Sequence, residues 1–256
     1  MKIAISEIRK KYKKKEILKG ISFHAEGGES IGVLGENGCG KSTLLSILAG
    51  AQKCDSGSFL YEDTDTGGGS FSAGEGAARA GDDACADRHT SHSMAVDLLR
   101  QPVLRSRLVG YVPQNTPLME ELSVRDNLRL WYPGGRHVLD KELEEGVLKA
   151  LAITGFLDTQ VYKLSGGMKK RVSIGCAVAG HPRILILDEP GAALDLVCKQ
   201  VIIDYLRDFC RKGGISVMAS HEIQEIVSCS RTMILKGGIL TPYTFDGDIG
   251  RLVAAL

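Results

Sequence analysis

An α/β domain on a mostly parallel sheet is the fold class this sequence predicts, and three observations predict it. Short, continuous apolar runs, "ESIGVLG" (29–35), "RILILDEP" (183–190) and "ISVMAS" (215–220), have the texture of strands buried on both faces. A segment of helical spacing follows each: "KSTLLSILAGA" (41–51), "DLVCKQVIIDYLRDFC" (195–210) and "HEIQEIVS" (221–228). Strand alternating with helix is the grammar of a parallel sheet covered by helices.

The elements follow in order. "KIAISEI" (2–8) and "ILKGISFHA" (17–25) read as strands from their alternation and β-branched content. After the strand 29–35 the helix at 41–51 puts Leu44, Leu45, Ile47 and Leu48 on one face, with Gly50 near its end. From Glu62 to Ser93 the texture changes to Gly, Ala and Asp, with no Ile, Leu, Val or Met. Such a stretch cannot bury enough surface to offset its ordering entropy, so 62–107 is expected to be a flexible insertion, its last part, "MAVDLLRQPVLRSRL" (94–108), helical. Cys85, His89 and His92 lie within it, too few for a closed zinc site.

"LVGYVPQ" (108–114) is a further strand, and Leu122 to Tyr162 is expected to be helical. Ser123 is a candidate N-cap for "SVRDNLRLW", and Leu139, Leu143, Val147, Leu148 and Leu151 recur at helical intervals. "RTMILKGG" (231–238) is expected to be the final strand.

With 256 residues and 43% apolar content the chain suits a single domain, residues 1–256, with a real core. A net charge of +1 gives no global attraction to nucleic acid or acidic lipid, and no nucleic-acid partner is expected; the basic run at Arg9–Lys15 reads as a solvated strand end. Seven cysteines without paired spacing point to reduced thiols and a cytoplasmic setting. No stretch approaches the ~18 uninterrupted apolar residues of a membrane span.

The chemistry begins at "GENGCGKST", Gly35–Thr43, which fits G-x-x-x-x-G-K-[ST] with a strand before it and a helix after it. Gly35, Glu36, Asn37, Gly38, Cys39 and Gly40 form a loop whose N–H groups can cradle phosphate. Lys41 neutralises charge on the terminal phosphates, and Ser42, followed by Thr43, is a candidate Mg2+ ligand. "ILILDEP" places Asp188 at a strand's carboxyl end, where it can reach Mg2+ through water, and Glu189 beside it is a candidate base for the attacking water. His221 follows the next strand and would lie near the same phosphates. Alone, neither His221 nor Gln114 would carry a role.

Together these residues resemble the ATP-binding cassette ATPases. The order runs from Tyr12 through Gly35–Thr43, Gln114, the signature "LSGGM" (Leu164–Met168), "LDE" (Leu187–Glu189) and "ALD" (Ala193–Asp195) to His221. The resemblance implies a P-loop NTPase fold, RecA-like, with an antiparallel β subdomain and a helical subdomain over 116–180 that carries the signature. It implies ATP and Mg2+ as cofactors, stacking of adenine on Tyr12, Mg2+ and coupling contacts at Gln114, and catalytic roles for Glu189, His221 and Gln114. It also implies that Ser165, Gly166, Gly167 and Asp195 serve a nucleotide held by a second cassette, so that two copies, identical or not, close head to tail. The implied setting is an ATPase subunit peripheral on the inner face of the cell membrane, with a transmembrane permease subunit as partner.

Met168, where Gln is commoner, is similar to cassettes of the export branch. Gly191 stands where relatives have Thr or Ser, a change expected to alter the flexibility of that turn. The rival class is a soluble, non-transport cassette of the DNA-repair or translation kind. It would call for a heptad-bearing insertion or a second set of motifs, which this sequence does not carry. Intact Glu189 and His221 argue against a cassette that binds without hydrolysis.

Overall fold

The computed structural model describes residues 1–63, 95–132, 136–192 and 194–256, together with the backbone alone at Arg136. In chain order the elements begin with β1 (Lys2–Tyr12), β2 (Lys15–Glu26), β3 (Ser30–Leu34), α1 (Lys41–Ala49), β4 (Ser56–Glu62) and β5 (Val96–Asp97). Next come α2 (Pro102–Leu108), β6 (Val109–Val112), α3 (Val124–Trp131), α4 (Arg136–Glu144), α5 (Val147–Ala150) and α6 (Gly166–Ala177). The chain closes with β7 (Ile184–Asp188), α7 (Leu196–Arg211), β8 (Ile215–Ala219), α8 (Ile223–Val227), β9 (Arg231–Lys236), β10 (Ile239–Tyr243) and α9 (Ile249–Ala255).

The central sheet runs β10-β9-β3-β8-β7-β6. Five of its strands are parallel and β10 pairs antiparallel with β9 at the edge. β7 and β8 are buried along their whole length, which is why their sequences are unbroken apolar runs instead of alternating ones. A second, antiparallel sheet, β2-β1-β4-β5, lies alongside. Its inward residues Ile3, Ile5, Leu18, Ile21 and Phe59 join α1 and one face of the parallel sheet in one core. The opposite face packs on α7 and, through Leu185, Leu187 and Met218, on the helical region of Val124, Leu128, Leu148 and Val172. This arrangement brings the carboxyl ends of β3, β7 and β8, and the loops that leave them, to one edge of the sheet, where ligands of open α/β sheets bind.

Several elements differ from expectation for local reasons. Among the described residues of "MAVDLLRQPVLRSRL" only Pro102–Leu108 is helical; Pro102 opens the helix, and Val96–Asp97 pairs with β4 instead. The end of the 62–107 stretch is therefore built into the fold, with Leu98 fully buried. Residues 64–94, with Cys85, His89 and His92, lie outside the described residues, as does Ala193. Among the described residues, the region 122–162 is three short helices and two 3-10 turns, interrupted at Gly146, while Leu139, Leu143, Leu148 and Leu151 are buried. Ser123 caps α3, its hydroxyl accepting from the Asp126 N–H at 3.1 Å.

The chain does not end its sheet at "RTMILKGG". Gly237 and Gly238, both at positive φ, turn it into β10, a mostly exposed edge strand that tolerates Pro242 because its outer N–H side needs no partner.

Candidate functional site

The phosphate-type loop begins where β3 ends. Gly40, the residue before α1, has φ 115°, a conformation only glycine adopts without strain, and a Cβ there would meet Ile17 Cγ2 at 2.8 Å. The buried Lys41 ammonium folds back over the loop, donating to the carbonyls of Gly35 at 2.6 Å and Glu36 at 3.0 Å. This fixes the loop while placing the positive end of α1 beneath it. Cys39 Sγ packs toward Gly35, where a Cβ would meet it at 2.6 Å.

The loop forms one wall of an open cleft of about 450 Å³. Tyr12, Asn37, Gly38, Lys41, Ser42, Thr43, Gln114, Glu189 and His221 all line it, so residues as far apart in the sequence as Tyr12 and His221 meet at one place. Tyr12 stands at the end of β1, half exposed. The Lys10 ammonium lies 5.6 Å from its ring centroid, and its hydroxyl accepts a hydrogen bond from the Gln52 amide.

The catalytic-type carboxylates come from the end of β7. Asp188 is 2% exposed, and its Oδ1 finds no hydrogen-bond partner among the described residues. Burial pushes its carboxyl above the ordinary range; the Ser42 hydroxyl and the Lys170 and Lys41 charges pull the other way. A buried, unpartnered carboxylate oxygen beside a serine hydroxyl fits a hard divalent cation such as Mg2+, which would relieve that penalty.

Glu189 is the one residue of this strand end at positive φ, 49°, anchored by its N–H donating to the Ala219 carbonyl at 2.9 Å. One carboxylate oxygen, Oε2, accepts from Gln114 Nε2 at 2.9 Å, and the other, Oε1, lies 3.2 Å from His221 Nδ1. A carboxylate pinned from both sides is held at one spot in the cleft, ready to receive a proton there.

Four of the sequence-derived candidates stand apart. Ser165 caps α6, its hydroxyl accepting from the Met168 N–H at 3.3 Å, and Gly166 faces open space. Gly167 is buried against α7, where a Cβ would meet Cys198 Sγ at 2.8 Å. Asp195 caps α7 through the Cys198 N–H at 2.8 Å, a bond that holds its carboxyl below the usual range. None of the four lines the cleft, so the chain carries a nucleotide-type cleft and a separate anion-type helix end.

Two buried charged residues near the site were not anticipated. Lys170, on α6, is 5% exposed and donates to the carbonyls of Pro113 and Gln114, both at 3.1 Å. Its signal was present in the spacing, since Gly167, Lys170 and Ile174 repeat at three and four residues on the buried face of the helix. Glu225, on α8, is 3% exposed and fills the space beside Gly191, where a Cβ would fall 1.8 Å from its Oε1. The glycine in "GAALD" thus makes room for a carboxylate.

Glu225 Oε2 has no hydrogen-bond partner among the described residues, and burial raises its pKa above the ordinary 4.5, with Glu222 adding to this and Lys199 and His221 opposing it. A raised folded-state pKa means the folded chain holds this proton more tightly than the unfolded one. The contribution to stability is therefore present below the unfolded value and is lost as pH rises through the folded one. Glu225→Gln is expected to raise stability at pH 7 by roughly 1 kcal/mol, a melting shift of about 2–4 °C, with the gain shrinking toward pH 4. Calorimetry across that range checks it; a variant that melts lower at pH 7 contradicts it.

The sequence profile described as "ABC transporter" matches residues 18–192. Among curated proteins, the chain is 31% identical over 234 residues to the linearmycin resistance ATP-binding protein LnrL of Bacillus subtilis, covering 90% of this chain and 65% of that one. It is 32% identical to the spermidine/putrescine import ATP-binding protein PotA of Mesoplasma florum, covering 96% and 62%. To the Nod factor export ATP-binding protein I of Paraburkholderia xenovorans it is 29% identical, covering 92% and 68%. The chain thus spans 62–65% of the length of the first two of these relatives. A solved dimeric ATP-binding cassette, described as a post-hydrolysis state bound to ADP and Pi, superposes with a TM-score of 0.72 over 96% of this chain and 100% of that one. At 24% identity that likeness shows the fold.

Proposed function

The chain belongs to the ABC transporter family, and from that premise we propose that it is an ATP-binding and ATP-hydrolysing subunit of a multisubunit transporter, working as a pair of cassettes. The single observation that carries this reading is the division of its polar sites. Lys41, Ser42, Glu189, Gln114 and His221 line one cleft, with Asp188 buried beside Ser42, while Ser165 and Gly166 are not part of its lining. A helix N-terminus with a serine cap and an open glycine is half of an anion site, and a second chain supplies the anion.

In this mechanism Lys41 releases the loop carbonyls and turns its ammonium to the terminal phosphates, which the loop N–H groups cradle. Ser42 and Asp188, with Gln114 at the rim, are the residues that would hold Mg2+. Held there, Mg2+ would supply charge neutralisation at the phosphates. Glu189 takes the proton of the attacking water, while His221 keeps the carboxylate and the terminal phosphate in register. Tyr12 offers its ring to the base, and Ser165, Gly166, Gly167 and Asp195 close over the partner's nucleotide.

No described helix is long and apolar enough to cross a membrane, so the spans belong to another subunit in this reading. A groove of about 580 Å³ between Tyr111, Pro113, Leu118 and the half-exposed Trp131 lies beside Gln114 and suits that contact. The seat of action is the inner face of the membrane. Export is favoured by Met168 and by the Nod factor export relative; relatives named for import match at similar identity, and flux in membrane vesicles decides the direction.

The test is phosphate release from ATP by the purified chain. Release is expected to require Mg2+ and to rise more than linearly with protein concentration, because each active site needs two chains. Lys41→Ala is expected to weaken ATP binding by at least tenfold, about 1.4 kcal/mol. A chain that neither binds ATP nor releases phosphate contradicts the proposal.

A further inference from the structure

We infer that Lys170 is a positioning residue that links the two nucleotide sites in which one chain takes part: it fastens the segment bearing Gln114 to the helix whose first turn is offered to the partner. The inference rests on the two-cassette reading above and extends it. One end of α6 is capped by Ser165 and carries Gly166. Lys170 lies five residues further on, about 7–8 Å along the same rigid helix. Its amine reaches the main-chain carbonyls of Pro113 and Gln114 at 3.1 Å each, and the Gln114 amide reaches Glu189 Oε2 at 2.9 Å. An unbroken path of one helix and two hydrogen-bonded steps therefore joins the face meant for the partner's phosphate to the carboxylate of the chain's own cleft.

The physical chemistry of Lys170 argues that this is more than packing. An ammonium that is 5% exposed has lost most of its water, and its two fixed acceptors are neutral carbonyls. Burial pulls its pKa down, and Asp188, Glu189 and Glu225 oppose that shift. A leucine or methionine would fill the same space without desolvating a charge. What the lysine adds is a grip on main-chain atoms, so that the loop cannot shift without the helix. Coupling of this kind needs an element biased by both sites, and α6 is such an element.

The experiment compares the native chain with Lys170→Met, which keeps length and removes the grip, and Lys170→Arg, which restores charge and donors. ATP affinity is titrated without turnover in the presence of EDTA. Phosphate release is then followed against Mg-ATP concentration, and melting temperature is recorded as the control for folding. The Met variant is expected to bind ATP within about twofold of native, to lose about tenfold or more in kcat, and to drop from a Hill coefficient near two to one near one. The Arg variant is expected to recover at least about a third of native kcat together with the cooperativity.

If the Met variant does not fold, Lys170→Gln, a shorter side chain with two amide donors and no charge, is measured in its place. The inference is overturned if the Met variant keeps native kcat and cooperativity. It is also overturned if affinity and kcat fall together and the Arg variant rescues neither, the mark of a merely structural role. A native chain that does not bind ATP at all would instead remove the two-cassette reading itself.

Discussion

Glu189→Gln is expected to lower ATP turnover by about 10²–10⁴-fold, the range for loss of a general base, while leaving ATP affinity within about twofold of native. The geometry explains why the effect should be confined to chemistry. Gln is isosteric, so with its carbonyl oxygen toward the Gln114 amide at 2.9 Å and its NH2 toward His221 Nδ1 at 3.2 Å both contacts can be kept. Asp188 and Ser42, which would hold the metal, are untouched. What disappears is a group able to accept a proton at that point of the cleft. Single-turnover phosphate release, with ATP affinity measured separately, checks it. A variant that retains a tenth or more of native turnover would place the base elsewhere.

The second large effect is expected at the other end of the chain's chemistry. Gly166→Asp should lower turnover by at least about 10²-fold, comparable to removing a donor from an anion-stabilising site, again with ATP affinity near native. A Cβ at Gly166 meets no described atom within 4 Å, so a side chain starts there without a clash, and a carboxylate in the first turn of α6 is favourable to the helix. The fold therefore survives. The new charge sits where the partner's terminal phosphate is proposed to dock and repels it. Ser165→Ala is a less clean probe, because Ser165 also caps its own helix and the loss costs about 1 kcal/mol of helix stability. Gly167 is worse still, since any side chain there collides with Cys198 on α7. Native turnover in Gly166→Asp would mean that the exposed helix end serves no nucleotide.

How much of this was legible before the structure varies with the length scale of the signal. The strand-loop-helix at β3 to α1 could be read because hydrophobic run, glycine loop and apolar helix face are all local. The convergence of Gln114, Glu189 and His221 could be expected because each follows a strand, and parallel strands deliver their carboxyl ends to one edge. β10 is hard to read because it is a mostly exposed edge strand with Pro242 inside it, so neither alternation nor apolar content marks it. β4, "SGSFLYE", carries a weak signal for a similar reason: only Phe59 and Tyr61 are buried, and two serines and a glycine precede them. Lys170 and Glu225 were hidden differently. A charged residue is read as a solvent-facing one unless its helix face is worked out, and the partners that keep both inside come from segments far away in sequence.

The account stands on two chains sharing each nucleotide, and sedimentation of the Glu189→Gln chain with saturating ATP and Mg2+ tests that most directly. It predicts a species of twice the single-chain mass that forms only with nucleotide and is lost when Gly166→Asp is added. A single-chain mass at saturating nucleotide, with binding shown in the same sample, would contradict it.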